Sequence, residues 1–256
     1  MNIIDAVILA IVEGVTEFLP ISSTGHMIIV SHLMRMPQTE FLKTFEIAIQ
    51  LGAIGAVFSL YWRVFLLDWE TGRKVLAAFI PTAVIGFILY KIIKKFLIGN
   101  LTVVAAALLL GGIFLVVFEL FYKGKQAKTE GIERVTYPQA VIIGICQALA
   151  VIPGVSRSAA TIAGGLMLGV SRSTIVEFSF LLAVPTMLAA TILDVLKSSA
   201  AMTFADAGVL AVGFGAAFII AFASVKFLLH YVKRNDFIVF GIYRIMVGFL
   251  LLFFCR

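Results

Sequence analysis

Residues 13–26 read EGVTEFLPISSTGH, which places carboxylates, hydroxyls and a histidine inside a chain otherwise built for lipid. Glu13 and Glu17 stand four apart, so on a helix they share one face. Like charges at that spacing repel unless a proton, a cation or a basic side chain joins them. Pro20 stops that helix. Beyond it, Ser22 or Ser23 is placed to cap a second helix, whose free backbone N–H groups point at the break and offer a seat for an anion. His26 follows on its first turn. The segment thus offers a nucleophile, a proton carrier, acids and an anion seat. A polar, water-exposed loop is the plain alternative, but ionisable groups within membrane segments are functional by default.

The rest of the chain supports a membrane setting. Its 256 residues are 62% hydrophobic and 13% charged, with mean hydropathy +1.11. Soluble domains average about 45–50% apolar and about 25% charged residues. The net charge of +6 and pI near 9.4 form no basic stripe. They fit the positive loops of an inner-membrane protein, and no nucleic-acid partner is expected. Cys146 and Cys255 stand alone, without a CxxC or His/Cys cluster, so neither a disulfide framework nor a zinc site is indicated. The N-terminal MNIIDAVILAIVEG carries acids and no positive n-region, unlike a cleaved signal peptide.

Apolar runs of about 20 residues, the length that spans a bilayer, fall near 43–61, 74–91, 101–121, 175–195, 207–229 and 237–254, giving six predicted crossings. Two further apolar stretches, about 2–34 and 138–170, are each broken near the centre, at Pro20 and at Pro153. Each half is too short to cross alone. Interrupted segments at corresponding positions read as re-entrant hairpins, whose tips are tolerated only where protein or a wet cavity surrounds them. The alternative is a pair of short tilted crossings for each stretch.

The two hairpins look related. PISSTGH at 20–26 can be laid on PGVSRSA at 153–159, and an acid follows each at a similar interval, Glu46 and Glu177. The expectation is an all-α polytopic membrane protein built as an inverted repeat, each half one re-entrant helical hairpin plus three transmembrane helices. Repeat one covers about 1–122 and repeat two about 136–256, within a single integral membrane domain over 1–256. An odd number of crossings per half requires inversion, so the tips can meet near the midplane. In this register Glu17 corresponds to Ala150 and Thr24 to Arg157. One half therefore supplies acids and nucleophile, the other the cation.

Arg157, beside Ser156 and Ser158 at a predicted helix start, is a bidentate site for phosphate. It can equally pair with Glu13 or Glu17, and both readings can hold at once. Among the other polar residues, Glu46, Gln50 and Glu177 either line the cavity or pair with a neighbour such as Arg244. Glu119, Asp194, Lys226 and His230 lie near span ends, where snorkelling suffices. Tyr61, Trp62, Trp69, Tyr90, Tyr122, Tyr137 and Tyr231 read as an aromatic belt.

EGVTEFLPISSTGH, PGVSRSAATIAGGLMLGVSR and FSFLLAVPTMLAAT together resemble the bacterial undecaprenyl-diphosphatase, or bacitracin-resistance, family over essentially the whole chain. The resemblance implies a membrane enzyme that hydrolyses undecaprenyl diphosphate to the monophosphate and inorganic phosphate, recycling the lipid carrier for peptidoglycan synthesis. It implies functional positions at Glu13, Glu17, Ser23, Thr24 and His26 and at Ser156, Arg157 and Ser158. A divalent cation, magnesium or calcium, and a site on the outer face of the cytoplasmic membrane are implied likewise.

The residues accommodate this chemistry. Phosphoryl transfer needs an in-line nucleophile, positive charge for the non-bridging oxygens and a proton for the leaving group. The assignment is Ser23 as nucleophile, Glu17 as its base or orienter, His26 as proton carrier or phosphate ligand and Arg157 as transition-state partner. Glu13 serves as second acid. Ser22, Thr24, Gly25, Ser156 and Ser158 bind substrate, and Glu13 and Glu17 are the candidate ligands of a hard cation. Direct attack by a metal-bound water is the mechanistic alternative. A transporter or flippase of a lipid phosphate or small anion is the functional one, since broken helices in inverted repeats also build transporters. The partners expected are a polyprenyl diphosphate and the membrane; the oligomeric state, monomer or homodimer, is left open. The loops holding Arg63, Arg73, Lys74, Lys123, Lys125, Lys128, Arg134, Arg172, Lys226, Lys233 and Arg234 outnumber in charge those holding Arg35, Lys43, Lys91, Lys94, Lys95, Lys197 and Arg256. The richer side is predicted cytoplasmic, with both termini outside.

Overall fold

The computed structural model describes residues 1–37, 39–96, 100–122, 124–197 and 204–254. Cys255, Lys123 and Arg256 lie outside the described residues. The described chain is helical, with no named strand and one isolated bridge, Thr129 to Val170. In order come α1 (Ile3–Thr16), α2 (Ser23–Leu33), α3 (Glu40–Leu67), α4 (Trp69–Phe96) and α5 (Leu101–Tyr122). The series then runs through α6 (Tyr137–Gln147), α7 (Arg157–Met167), α8 (Arg172–Lys197), α9 (Phe204–Tyr231) and α10 (Ile238–Phe254).

Local sequence explains where the short helices start. Asn2 caps α1 by accepting from the Asp5 N–H, and the Asp5 carboxylate accepts from the Asn2 N–H in return. Thr136 and Gln139 make the same reciprocal arrangement at α6, satisfying donors that a helix start otherwise leaves orphaned. Ser22 caps α2 through the Gly25 N–H, and Ser156 caps α7 through the Ala159 N–H. The interval from Asn2 to Thr136 equals that from Ser22 to Ser156. Counted from these caps, Ser23 and Arg157 are each the first residue of their helix, α2 and α7. The loop before each cap is closed differently, by Ser22 at φ 74° in one and by Gly154 at φ 94° in the other.

Among the described residues five helices are long and apolar enough to cross a membrane, in α3, α4, α5, α8 and α9, so the chain is a multi-pass membrane protein. The sixth expected span, α10, is a 17-residue helix, about 25 Å long and shorter than the other five. Early and late helices interlock: α1 packs on α9, α6 on α4, and α5 on α10, while α3 meets both α8 and α9. With no water to expel between helices in lipid, close van der Waals contact holds such pairs together. Gly144 shows how close, since a Cβ there would collide with the Ala78 carbonyl of α4. The main core gathers Phe18, Phe178, Phe180, Ile162 and Phe237. Phe18 and Phe180 meet edge to face at 5.3 Å and 83°, a contact contributing about 0.5–1.5 kcal/mol.

Two side chains assigned to span ends are core residues. Glu119 does not snorkel: it is 2% exposed, accepts two bonds from Arg172 at 2.5 and 2.6 Å and a third from the Phe237 N–H. An anion so placed is tolerated because every bond it makes is charge-assisted or to a helix start. Tyr122 is likewise buried, against Phe118 and beneath the Arg172 guanidinium. Trp62, Trp69 and Tyr137 remain exposed as expected of a belt.

Candidate active site

The site is built where the α1–α2 and α6–α7 breaks meet. Helix α1 ends at Thr16, and Glu17 closes its last turn by donating its backbone N–H to the Glu13 carbonyl. The chain reverses through Phe18–Ile21 and enters α2 at Ser22, whose positive φ of 74° is strained for a residue with a Cβ. That turn aims the Ser23 hydroxyl back at the preceding helix, where it donates to Glu17 Oε2. Glu17 Oε1 accepts from Arg157 Nη2 at 3.2 Å. One carboxylate therefore holds both the serine of one tip and the guanidinium of the other. Arg157 also donates from Nη1 to the Ser179 carbonyl at 2.8 Å and lies 5.9 Å above the Phe18 ring. Its Nε is buried without a partner among the described residues.

Glu13 lies one turn before Glu17, 4% exposed, within electrostatic reach of Glu17, Glu46 and Arg157. Its Oε1 is buried with no hydrogen-bond partner among the described residues. Glu46 thus faces the acids of the site. Neither it nor Glu177 pairs with Arg244, which spends its donors on carbonyls: Pro20 at 3.4 Å, Ala107 at 3.2 Å and Gly154 at 3.2 Å. Arg244 is 1% exposed and joins the two breaks to α5. Glu177 faces Tyr61, Glu133 and Lys233 instead.

His26 is brought to the site by the first turn of α2, but not to Ser23. Its Nδ1 lies 2.7 Å from the Ser22 carbonyl, an atom that only accepts, so Nδ1 carries a proton. Nε2 lies 2.8 Å from the Tyr243 hydroxyl, and the two rings stack at 5.5 Å with 7° between planes. In the neutral ring Tyr243 is the donor. Sequence reading missed Tyr243. It sits in α10, far along the chain, and its only signal is its place beside Arg244 within an apolar run.

The remaining predicted residues divide between open and structural positions. Thr24 is exposed, while Ser22, Ser23, Gly25 and His26 are buried. Ser156 and Ser158 are almost fully buried; their hydroxyls lie 2.9 Å apart, and Ser158 donates to the Leu19 carbonyl at 2.9 Å. That bond ties the second break to the first, so Ser158 is already committed to structure.

A hard divalent cation suits part of this set. Among the described residues no group of three His, Cys, Asp or Glu side chains could hold a metal. Both Glu17 oxygens are engaged by Ser23 and Arg157. Glu13, with one oxygen free, fits the mode in which an ion takes one or two carboxylates and completes its shell with substrate phosphate and water.

The model of the family described as bacitracin resistance protein BacA matches residues 6–250. A protein of Sulfurihydrogenibium sp. (strain YO3AOP1) named undecaprenyl-diphosphatase is 51% identical over 250 residues, covering 98% of each chain. Proteins of the same name from Aquifex aeolicus and Methanococcus aeolicus are 48% and 42% identical. The first alignment covers 95% of this chain and 94% of its relative, the second 99% of both.

Proposed function

The chain belongs to the bacitracin resistance protein BacA family, and on that premise we propose that it is a membrane phosphatase converting undecaprenyl diphosphate to undecaprenyl phosphate and inorganic phosphate. The observation that carries the reading is the shared carboxylate: Glu17 accepts from the Ser23 hydroxyl while Arg157 holds its other oxygen. A serine and a guanidinium at the start of two helices whose N–H groups favour an anion are thereby fixed on a base at the end of a third.

In the proposed reaction Ser23 Oγ attacks the terminal phosphorus as Glu17 takes its proton. The bond to the bridging oxygen breaks, and the lipid monophosphate departs. Glu17 passes that proton to the departing monophosphate; water then attacks the phosphoserine as Glu17 takes its proton, and Glu17 returns it to Ser23 Oγ as inorganic phosphate leaves, restoring the serine. Arg157 exchanges its carboxylate for non-bridging oxygens as their charge grows. The His26–Tyr243 pair delivers or relays a proton at the cleft. Thr24, exposed beside Ser23, and the Gly25 and Ser22 turn bind the phosphates, with Ser156 and Ser158 shaping the opposite wall. Magnesium or calcium, held by Glu13 with Glu17 nearby, would neutralise phosphate charge when bound.

The same reading makes the fold an inverted repeat, about 1–122 and about 136–256. Residues 2–34 and 138–170 form re-entrant hairpins whose tips meet from opposite sides. The caps at equal intervals and the exchanged pairings of α1 with α9 and α6 with α4 support it. The protein sits in the bacterial cytoplasmic membrane with the site facing outward, and a homodimer is compatible with it.

The test is phosphate release from undecaprenyl diphosphate by purified protein in detergent, where no compartments exist. Stoichiometric release is expected. No release, together with substrate-dependent flux in vesicles, would replace the phosphatase with a transporter.

A further inference from the structure

An apolar cavity of about 280 Å³ lies between α2, α5 and α10, lined by Ile29, Leu33, Leu101, Val247, Leu250 and Leu251, with His32 its one polar wall. Its position relative to the reacting groups follows from helix geometry. Ile29 is one turn past His26, and Val247 one turn past Tyr243, on the faces where those two side chains meet. Helix α5 runs antiparallel to α10, since Gly112 abuts Gly241 while Ala105 and Leu109 abut Gly248. Going from Ala107, which Arg244 touches, to Leu101 therefore moves about 9 Å in the direction taken by α2 and α10. All three helices carry the cavity away from the site by the same one to two turns.

We propose that this cavity holds the isoprenoid units of the substrate that follow the first one after its diphosphate; the proposal rests on the phosphatase reading and extends it to recognition of the lipid. A diphosphate at the Ser23 and Arg157 breaks leaves its prenyl ester and first isoprene unit beside His26 and Tyr243, and the first apolar wall beyond them is Ile29 and Val247. Seven lining side chains with a single polar member satisfy no phosphate, so the headgroup stays at the breaks. The volume lies just under the range of about 300–1,000 Å³ that encloses whole drug-sized ligands. It takes a few isoprene units, and the remainder runs out past Leu33 and Leu250, 75% and 51% exposed, into the bilayer. An apolar chain is thus bound near its charged end and free beyond it.

Cavity-filling variants test this in the full-length, detergent-purified protein. Val247→Trp and Leu250→Trp, made singly, are assayed with farnesyl diphosphate and with the five-carbon dimethylallyl diphosphate. KM for the farnesyl substrate should rise at least tenfold with kcat within about twofold, while the five-carbon substrate, too short to reach the cavity, should be unaffected. Unchanged farnesyl KM in both variants would mean that the groove meets only ordinary bilayer lipid, and would overturn the proposal. Equal losses with both substrates would overturn it too, because chain-length discrimination is its content. A benzophenone-bearing farnesyl diphosphate gives a readout independent of turnover: crosslinks should map to α2 and α10 and vanish in both tryptophan variants. Crosslinks confined elsewhere refute the cavity even if phosphate is released, whereas crosslinks here without any phosphate release would sink the phosphatase reading alone.

Discussion

Arg157→Lys keeps the charge and removes the fork. In the resting site the guanidinium spans two acceptors, the Ser179 carbonyl at 2.8 Å and Glu17 Oε1 at 3.2 Å. An ammonium on a shorter stem reaches one of them. Losing one charge-assisted hydrogen bond costs about 1.5–3 kcal/mol. In the transition state the same loss falls on the phosphoryl oxygens, where a planar donor pair bridges and a point charge cannot. We therefore expect kcat to fall about hundredfold, about 3 kcal/mol by rate arithmetic, and Arg157→Ala to be only moderately worse. Stability separates this from simple charge neutralisation. Arg157→Ala leaves Glu17 buried without its cation, at a cost of up to about 3–5 kcal/mol, and adding Glu17→Gln should restore the melting temperature but not turnover. The assay is steady-state phosphate release beside thermal unfolding in detergent. Near wild-type kcat in Arg157→Lys, or recovery of turnover in the Arg157→Ala, Glu17→Gln double variant, would refute direct action on the phosphate.

Ser23→Ala should abolish turnover while the protein stays folded, with stability lowered by about 1.5–3 kcal/mol for the hydrogen bond lost to Glu17; activity within a few-fold of wild type would end the covalent route in favour of water attack. Tyr243→Phe removes a single hydrogen bond to His26 while keeping the stacked ring, so kcat should drop about 3- to 10-fold, from about 0.5–1.5 kcal/mol, and a change under twofold would reduce Tyr243 to packing. For topology, a cysteine replacing Gln126, which is exposed in the loop between α5 and α6, should resist an impermeant thiol reagent in intact cells; efficient labelling there would invert the predicted orientation. Thr129 serves less well, being half-buried and accepting from Gln139 at 3.1 Å.

The helices and the broken stretches were legible because their signals are local. Proline, serine caps and runs of about 20 apolar residues act within a turn or two of themselves. Ser23, Glu17 and Arg157 were legible for a related reason: charge inside an apolar run has few innocent explanations. What escaped depends on pairing across the fold. Tyr243 meets His26, and Glu119 meets Arg172, over separations that no periodicity encodes. A tyrosine or glutamate near a span end looks the same in sequence whether it turns outward to water or inward to a partner. Arg244 was seen only as one of two readings for Glu46 and Glu177, as a cation that either acid could pair with. Three backbone carbonyls serve it instead, and broken helices are where such carbonyls are spare.

Those three bonds bear on mechanics. A transporter of this helical plan works by rocking one bundle against the other about its binding site. Arg244 takes the Pro20 carbonyl from one half and the Gly154 carbonyl from the other while anchored on Ala107, and Ser158 bolts the same two breaks together through Leu19. Separating them would strand a guanidinium in a dry interior, a sum of several charge-assisted bonds at about 1.5–3 kcal/mol each. Spin labels placed across the two breaks should give one narrow distance with and without pyrophosphate, and a second distance would contradict this. Arg244 makes the meeting point of the halves a latch and not a hinge, so a scaffold suited to motion is held still enough to do chemistry.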